Sequence, residues 1–219
     1  MRPDRLIDQL LASDPARPRV TFYDDSPGPT KGERIELSGK VLANWVNKAA
    51  NLLQEDLDAG PGTRVRIDLP AAHWRTVYWA LAVWAVGATV VTDGDADLRI
   101  ADSAPADVVV TLAALSRAHQ GDVGGGIDEA KELATYADRF APWATADDTT
   151  AALVAGDRQW AYADLVDVGE TGRALVSGSV TDTLRRVAAL FAADGAVLLV
   201  RDPDAAAMPV RLRAEGIDL

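Results

Sequence analysis

Few residues of this sequence have a type and spacing that could do chemistry, and the clearest are three consecutive glycines, Gly124, Gly125 and Gly126. They precede a predicted helix, and the first turn of a helix carries free backbone N–H groups that bind phosphate and other anions. Asp122 and Asp128, however, stand on either side of the run and repel an anion. We interpret the run as a mobile surface loop and keep the three glycines as weak candidates for cofactor binding.

Residues that bind metals do not cluster in the sequence. The only histidines, His73 and His119, lie far apart, and there is no cysteine. The segment 93–97 begins like a calcium loop, but such a loop needs glycine at its sixth position and glutamate at its twelfth, where Leu98 and Ala104 stand. We predict an ordinary acidic turn and no metal site. His73 is expected at the start of a helix, partly buried, rather than as a general base.

A nucleophile is also difficult to assign. Ser177, Gly178 and Ser179 lack the Gly-x-Ser-x-Gly pattern of a hydrolase. They are more typical of a turn in which Ser179 or Thr181 caps the next helix. The sequence therefore predicts no catalytic residue.

The longest uncharged run, residues 76–92, is rich in aromatic side chains. Tyr78, Trp79 and Trp84 could line an acyl pocket, but aromatic residues at helical spacing are more typical of a packed core. The run is shorter than the roughly 20 residues that cross a bilayer. It is also split at Gly87, after which the residues become β-branched. We predict a core helix, a glycine stop and a buried strand.

Helices and short apolar strands alternate along most of the chain, which predicts an α/β fold with largely parallel sheets. In addition to the elements of the aromatic run, helices are predicted from Ser38 to before Gly60 and over 113–119, 128–140, 163–176 and 183–193. Strands are predicted over 64–69, 107–110, 151–155, 159–162 and 196–200. Two segments, 80–95 and 188–204, share the order helix, glycine, strand. This echo predicts two similar lobes, 1–145 and 146–219, within one domain spanning 1–219.

Composition excludes several classes of partner. The chain has 219 residues and a net charge of −11, with acids spread along its length. Nucleic acids and anionic membrane surfaces attract basic faces, so we expect neither as a partner. The absence of cysteine and of an apolar N-terminal stretch of signal-peptide length favours a cytoplasmic protein.

Residues 33–91 contain a helix with asparagine and leucine, a glycine turn before a strand, a helix around a tryptophan, and a Gly-Ala pair. In that order stand Asn44, Asn51, Leu52, Gly62, Val65, Trp74, Ala82, Gly87 and Ala88. This order resembles the N-terminal region of the adenylate-forming enzymes, which include acyl-CoA synthetases, luciferases and peptide-synthetase adenylation domains. The resemblance implies the α/β scaffold of that region, with residues 97–111 as its next helix and strand.

The chemistry of that family does not follow. Where the resemblance places a phosphate loop rich in glycine, serine and threonine and ending in Pro-Lys, Gly156 alone remains, and no lysine follows Lys131. Without several exposed amides and a cation, a triphosphate lacks its usual cradle. The motif that meets adenine and magnesium, the ribose-binding aspartate motif and the lid lysine have no counterpart in these residues. Gly156 stays a weak cofactor-binding candidate, and no cofactor is predicted.

Over nearly its whole length the chain resembles a short actinobacterial family of adenylating-enzyme-like proteins of unknown function. The segments 125–143, 152–166 and 211–219 carry this likeness, which implies that the short length is natural. We therefore predict a degenerate, non-catalytic homologue that acts as a binding or protein-interaction module, as a homodimer or with another protein. The alternative is a small-ligand binder for nucleotide, CoA or acyl chain that lacks adenylation chemistry.

Overall fold

The computed structural model describes residues 1–167, 169 and 171–217. Its helices are α1 (Leu6–Ser13), α2 (Gly39–Glu55), α3 (Trp74–Ala85), α4 (Glu129–Glu132), α5 (Val180–Ala192) and α6 (Met208–Ala214), with short 3-10 helices at Pro3–Arg5 and Leu133–Thr135. Its strands are β1 (Pro18–Asp24), β2 (Arg34–Ser38), β3 (Arg64–Asp68), β4 (Thr89–Val91), β5 (Leu98–Ala101), β6 (Val108–Val109), β7 (Ile127–Asp128), β8 (Ala151–Ala155), β9 (Arg158–Ala161), β10 (Arg173–Val176) and β11 (Ala196–Arg201).

The described strands form two sheets. The smaller has the order β10-β11-β1-β2, and the larger has the order β7-β6-β5-β3-β4-β8-β9. All pairs are parallel except β1 with β2 and β8 with β9. The predicted α/β class with largely parallel sheets is therefore confirmed. Strands from both ends of the chain share the smaller sheet, so the sheets do not divide the chain at residue 145, where the sequence suggested a lobe boundary.

The aromatic run forms the central helix α3, which is buried on all sides from Trp74 to Trp84. One apolar cluster joins this helix to α2, α5 and side chains of both sheets. After the helix, Gly87 takes a φ of +80°, and a Cβ there would lie 3.1 Å from the Ala146 nitrogen. The predicted order of core helix, glycine stop and buried strand is confirmed. Glycine stands at this turn because it takes a positive φ without strain and has no Cβ to contact the Ala146 nitrogen.

Helix α2 begins as predicted, since the Ser38 side chain caps it by accepting a hydrogen bond from the Val41 N–H at 3.3 Å. Val41, in the first turn of α2, lies outside the buried part of this helix. This side chain is 41% exposed, and Trp45, one turn further on, is only half-buried. The apolar arc of α2 is wider than the surface that α3 covers, and the uncovered part faces outward.

The expected helix over 128–140 shrinks to α4 and one 3-10 turn. Polar side chains of α2 bind the backbone carbonyls that a longer helix would use for itself. Lys48 Nζ donates to the carbonyls of Ala134 and Tyr136, and Asn51 Nδ2 donates to those of Ala137 and Arg139. These bonds hold the segment in an irregular path along α2.

Three further helix predictions are wrong. Residues 113–119 form bends and turns, and residues 97–111 form the strands β5 and β6 instead of a helix and a strand. The last part of 163–176 is the strand β10, while residues 168 and 170 lie outside the described residues. Pro105 in the segment 97–111 and Gly172 in the segment 163–176 oppose a helix.

Candidate functional site

Gly156, the weak candidate at the expected phosphate loop, lies in a tight turn between β8 and β9. Because Ala155 pairs with Arg158, the hairpin loop contains only two residues. Gly156 has a φ of +54°, and its N–H donates to Asp93 Oδ1 at 2.8 Å. A carboxylate thus already holds the amide that a phosphate would need.

The other glycine candidates lie in a different place. Gly124, Gly125 and Gly126 line an open surface hollow of about 400 Å³ that also contains Arg99 and Asp107. Gly124 donates its N–H to Asp122 at 2.8 Å. The helix that follows has one turn only, so it offers little dipole to an anion. The structure does not bring these glycines together with Gly156.

Gly126 has a packing role that the sequence reading missed. A Cβ at this position would lie 2.1 Å from the carbonyl oxygen of Ala106, because β7 pairs closely with β6. We expect Gly126→Ala to lower the free energy of unfolding by about 1–3 kcal/mol, since the strands must move apart. Urea denaturation measures this loss. Gly125→Asn is the control, because its position is open and asparagine tolerates positive φ. An equal effect of both substitutions would contradict the packing role.

His73 is the N-cap of α3, as predicted, and its Nδ1 accepts the Arg75 N–H at 3.1 Å. It is fully buried rather than partly buried. Its ring lies between Phe22, with ring centroids 4.5 Å apart, and Trp74, at 6.0 Å. Burial, followed by the positive charges of Arg75 and Arg201, lowers the pKa of His73 to about 3. A neutral, enclosed imidazole of this kind packs the core.

A buried ion pair lies close to His73, and the sequence reading did not find it. Arg75 donates through Nη1 to Glu129 Oε1 at 2.6 Å, and the two side chains are 2% and 1% exposed. The Tyr78 hydroxyl donates to the same carboxylate oxygen. The guanidinium of Arg75 also lies 4.4 Å from the ring centre of Trp74. Burial is the main cause that raises the pKa of Glu129, and Arg75 opposes it.

Two cavities that share lining residues lie near this ion pair. The outer one, here called the Trp45 groove, measures about 250 Å³ and is lined by Val41, Asn44, Trp45, Lys48, Ala134 and Asp138. The inner recess measures about 50 Å³ and shares Trp45 and Ala134 with the groove. It reaches Arg75 and Glu129. The sequence contains one indication that Arg75 is buried, because this charged residue directly precedes the uncharged aromatic run 76–92.

The other side chains considered in the sequence, His119 and Ser179, make contacts that stabilise the local structure. His119 Nδ1 lies 3.1 Å from the Thr111 hydroxyl, and the backbone N–H of His119 donates to Asp128. The sequence predicted that Ser179 or Thr181 caps the next helix, and Ser179 does so, in a reciprocal capping box with Asp182. In the part of the chain that the structure describes, no group of three or more His, Cys, Asp or Glu side chains is arranged to hold a metal ion. Nor does any described helix combine the length and apolar character that crossing a membrane requires.

Comparison with known proteins gives one curated relative. The TIGR03089 family protein of Mycobacterium tuberculosis is 40% identical over 195 residues, which are 87% of this chain and 72% of the relative. No family model matches the chain.

Solved structures give the same fold at low sequence identity. An acyl-CoA synthetase of Brucella canis has a TM-score of 0.72 at 13% identity, covering 99% of this chain and 46% of its own. NpsA of Klebsiella oxytoca in complex with 3-hydroxyanthranilyl-AMSN has a TM-score of 0.70 at 13% identity, with 99% and 46% covered. The NpsA N-terminal subdomain has a TM-score of 0.68 at 13% identity, with 99% and 59% covered. The chain thus spans about half the length of these proteins, and the expected resemblance of its fold to their N-terminal regions is confirmed.

Proposed function

Since the chain belongs to the TIGR03089 family and has the fold of the N-terminal domains of adenylate-forming enzymes, we propose that it is a non-catalytic derivative of that fold, acting as a binding or protein-interaction module. The observation that carries the proposal is the hydrogen bond from the Gly156 N–H to Asp93 at 2.8 Å. A triphosphate that approached this turn would have to displace a carboxylate and then remain beside it.

The charges around the turn support the same proposal. Arg158 and Arg185 lie over the Trp160 ring, at 4.6 and 4.9 Å from its centre, and Arg185 also pairs with Asp167 at 2.5 Å. These guanidinium groups are engaged with neighbours of the same chain. Phosphoryl and adenylyl transfer depend on cations and amides that are preorganised toward the phosphates.

We expect the purified chain to release no pyrophosphate from ATP and Mg²⁺ in the presence of acetate, hexanoate, benzoate or amino acids. The physical reason is the occupied amide and the negative charge at the Gly156 turn. A coupled pyrophosphate assay and mass spectrometry for acyl-AMP make the measurement, with an active acyl-CoA synthetase as the positive control. Formation of any acyl-AMP above the background without protein would overturn the proposal.

The two cavities near the ion pair favour a second candidate function, which is binding of nucleotide, CoA or acyl chain without chemistry. The apolar walls of the Trp45 groove suit an acyl chain in particular. A ligand that binds the folded state raises the midpoint of thermal unfolding by mass action. A thermal-shift series with ATP, AMP, CoA and acyl-CoAs tests this candidate, and the absence of a shift with all of them counts against it. Homodimer or protein partners and a cytoplasmic location remain predictions.

A further inference from the structure

The strand β2 is an open edge of the smaller sheet and carries charges of both signs. In the described residues the two sheets end in four edge strands, β10, β2, β7 and β9. Of these, β2 contains Arg34 and Glu36, whereas β9 and β10 contain only a basic residue and β7 only an acidic one. An edge strand is a surface on which another strand can pair. Charges of both signs on one strand suit a partner strand of the same sequence.

The backbone of β2 directs the polar groups of Arg34 and Glu36 toward the open edge. The Asp24 N–H donates to the Glu33 carbonyl at 3.0 Å, so Glu33 faces β1. Residues of an antiparallel strand face their partner strand alternately, so Ile35 also faces β1. The N–H and C=O groups of Arg34 and Glu36 therefore point away from β1, where a second strand can accept and donate hydrogen bonds.

Symmetry and charge select one register for two copies of β2. A symmetric dimer presents the same surface on both partners, so the two strands pair antiparallel around a two-fold axis. An axis at Arg34 or at Glu36 places like charges opposite each other, which is unfavourable. An axis at Ile35 places Arg34 opposite Glu36 of the partner subunit. Because Arg34 also lies 2.7 Å from Glu36 of its own chain, the four charges alternate in sign around this axis.

The opposite face of β2 adds apolar contacts to the same register. Ile35 is half-buried and packs against the core, and the axis sets it against Ile35 of the partner subunit. Glu33, on the same face, accepts the Ala114 N–H at 3.4 Å through both carboxylate oxygens. Leu115 therefore lies close to this edge, and its side chain is 93% exposed. Burial of these apolar side chains in a dimer stabilises the association.

We propose that this protein forms a symmetric homodimer in which the β2 strands of two copies pair antiparallel around Ile35 and join their smaller sheets into one continuous sheet. This inference rests on the proposed function, because it names a second copy of the chain as the partner of a protein-interaction module. Since β2 has five residues, the interface is smaller than the roughly 1,200–2,000 Å² of stable complexes, so the dimer is weak and reversible.

Sedimentation equilibrium of the full chain measures the dimerisation directly. We expect a reversible monomer–dimer equilibrium with a Kd on the order of 10–100 μM. Loading concentrations from well below to well above this range cover the transition. The mass of a monomer at all concentrations would overturn the proposal.

A charge reversal tests the pairing of Arg34 with Glu36. Glu36→Arg places like charges opposite each other on both sides of the axis, so we expect the Kd to rise about ten-fold or more. Glu55→Arg is the matched control, because it changes the net charge equally at an exposed position. Glu55 ends α2, about 24 Å along the helix from β2. We expect this control to leave the Kd unchanged, and equal effects of both variants would contradict the proposed interface.

Single cysteines test the register, since the chain has none of its own. Ile35 and Ile35 of the partner subunit form a non-hydrogen-bonded pair, whose Cα atoms lie about 4.5 Å apart, within the ~4.4–6.8 Å of disulfides. We expect Ile35→Cys to form an intermolecular disulfide on mild oxidation. Glu36→Cys is the control, because this position is more exposed but its two copies lie more than ~7 Å apart. Equal or faster cross-linking of Glu36→Cys would overturn the register.

These results are separable from that of the adenylation test. Formation of acyl-AMP by a chain that dimerises would overturn the proposed function alone. A chain that stays monomeric and forms no acyl-AMP would overturn the dimer alone.

Discussion

Replacing Glu129 with alanine is expected to lower the free energy of unfolding by about 3–5 kcal/mol, which is a large fraction of the stability of a domain. The substitution leaves the Arg75 guanidinium buried, with the Tyr78 hydroxyl at 3.2 Å and the Ala113 carbonyl at 3.2 Å as its remaining hydrogen-bond partners. Neither partner carries a compensating charge. Urea denaturation followed by tryptophan fluorescence measures the loss as a decrease in the midpoint at constant slope.

The matched control removes the same side chain three residues later. Glu132 lies at the end of α4 and pairs with Lys131, but these side chains are 42% and 67% exposed. Glu132→Ala is therefore expected to change the free energy of unfolding by less than about 0.5–1 kcal/mol. The double variant Arg75→Met/Glu129→Leu removes both charges and is expected to recover much of the loss. Similar small losses for Glu129→Ala and Glu132→Ala would contradict a buried ion pair.

The sequence predicted those elements whose signals are local. The start of α2 at Ser38 and the glycine stop at Gly87 each depend on a few neighbouring residues. Their conformations follow from backbone sterics and from hydrogen bonds within one or two turns. Such elements occur wherever the same short pattern occurs, so one sequence is sufficient to find them.

The first strand escaped prediction because it buries polar residues. In β1 the apolar Val20 and Phe22 alternate with the polar Arg19 and Thr21, and all four are buried. Alternation of apolar and polar residues normally predicts a strand with one exposed face, whereas both faces of β1 are covered. Charged groups are tolerated there because of distant partners. Arg19 Nη2, for example, lies 2.7 Å from Asp194 Oδ1 in the turn before β11.

The candidate site was less predictable than the fold for the same reason. Arg75 and Glu129 are separated by 54 positions, and Asp93 and Gly156 by 63. Neither pair forms a motif with fixed spacing, so a single sequence gives no sign that its members meet. The resemblance to adenylate-forming enzymes identified the place of Gly156, but the structure was needed to show which group its amide binds.

Replacing His73 with asparagine is expected to make the protein less sensitive to acid. The folded state holds His73 neutral down to a pH of about 3, because burial, Arg75 and Arg201 disfavour the imidazolium more strongly than Asp24 favours it. In the unfolded chain the same group takes up its proton near its ordinary pKa of about 6.5. Above that pH His73 imposes no penalty on folding. As the pH falls from about 6.5 toward about 3, the unfolded state binds the extra proton and the free energy of unfolding decreases.

The expected decrease due to His73 alone is about 1.4 kcal/mol per pH unit, so that two units of acidification cost about 2–3 kcal/mol. Asparagine does not titrate, and its side-chain oxygen can still cap α3 by accepting the Arg75 N–H that His73 now accepts at 3.1 Å. The smaller side chain lowers stability by an amount that is constant with pH, so only the slope carries information. Urea denaturation of both proteins between pH 7 and pH 4.5 gives this slope, because groups that are common to both proteins contribute equally to the two curves. Parallel stability curves would mean that His73 accepts its proton within the folded core, contrary to its enclosure between Phe22 and Trp74.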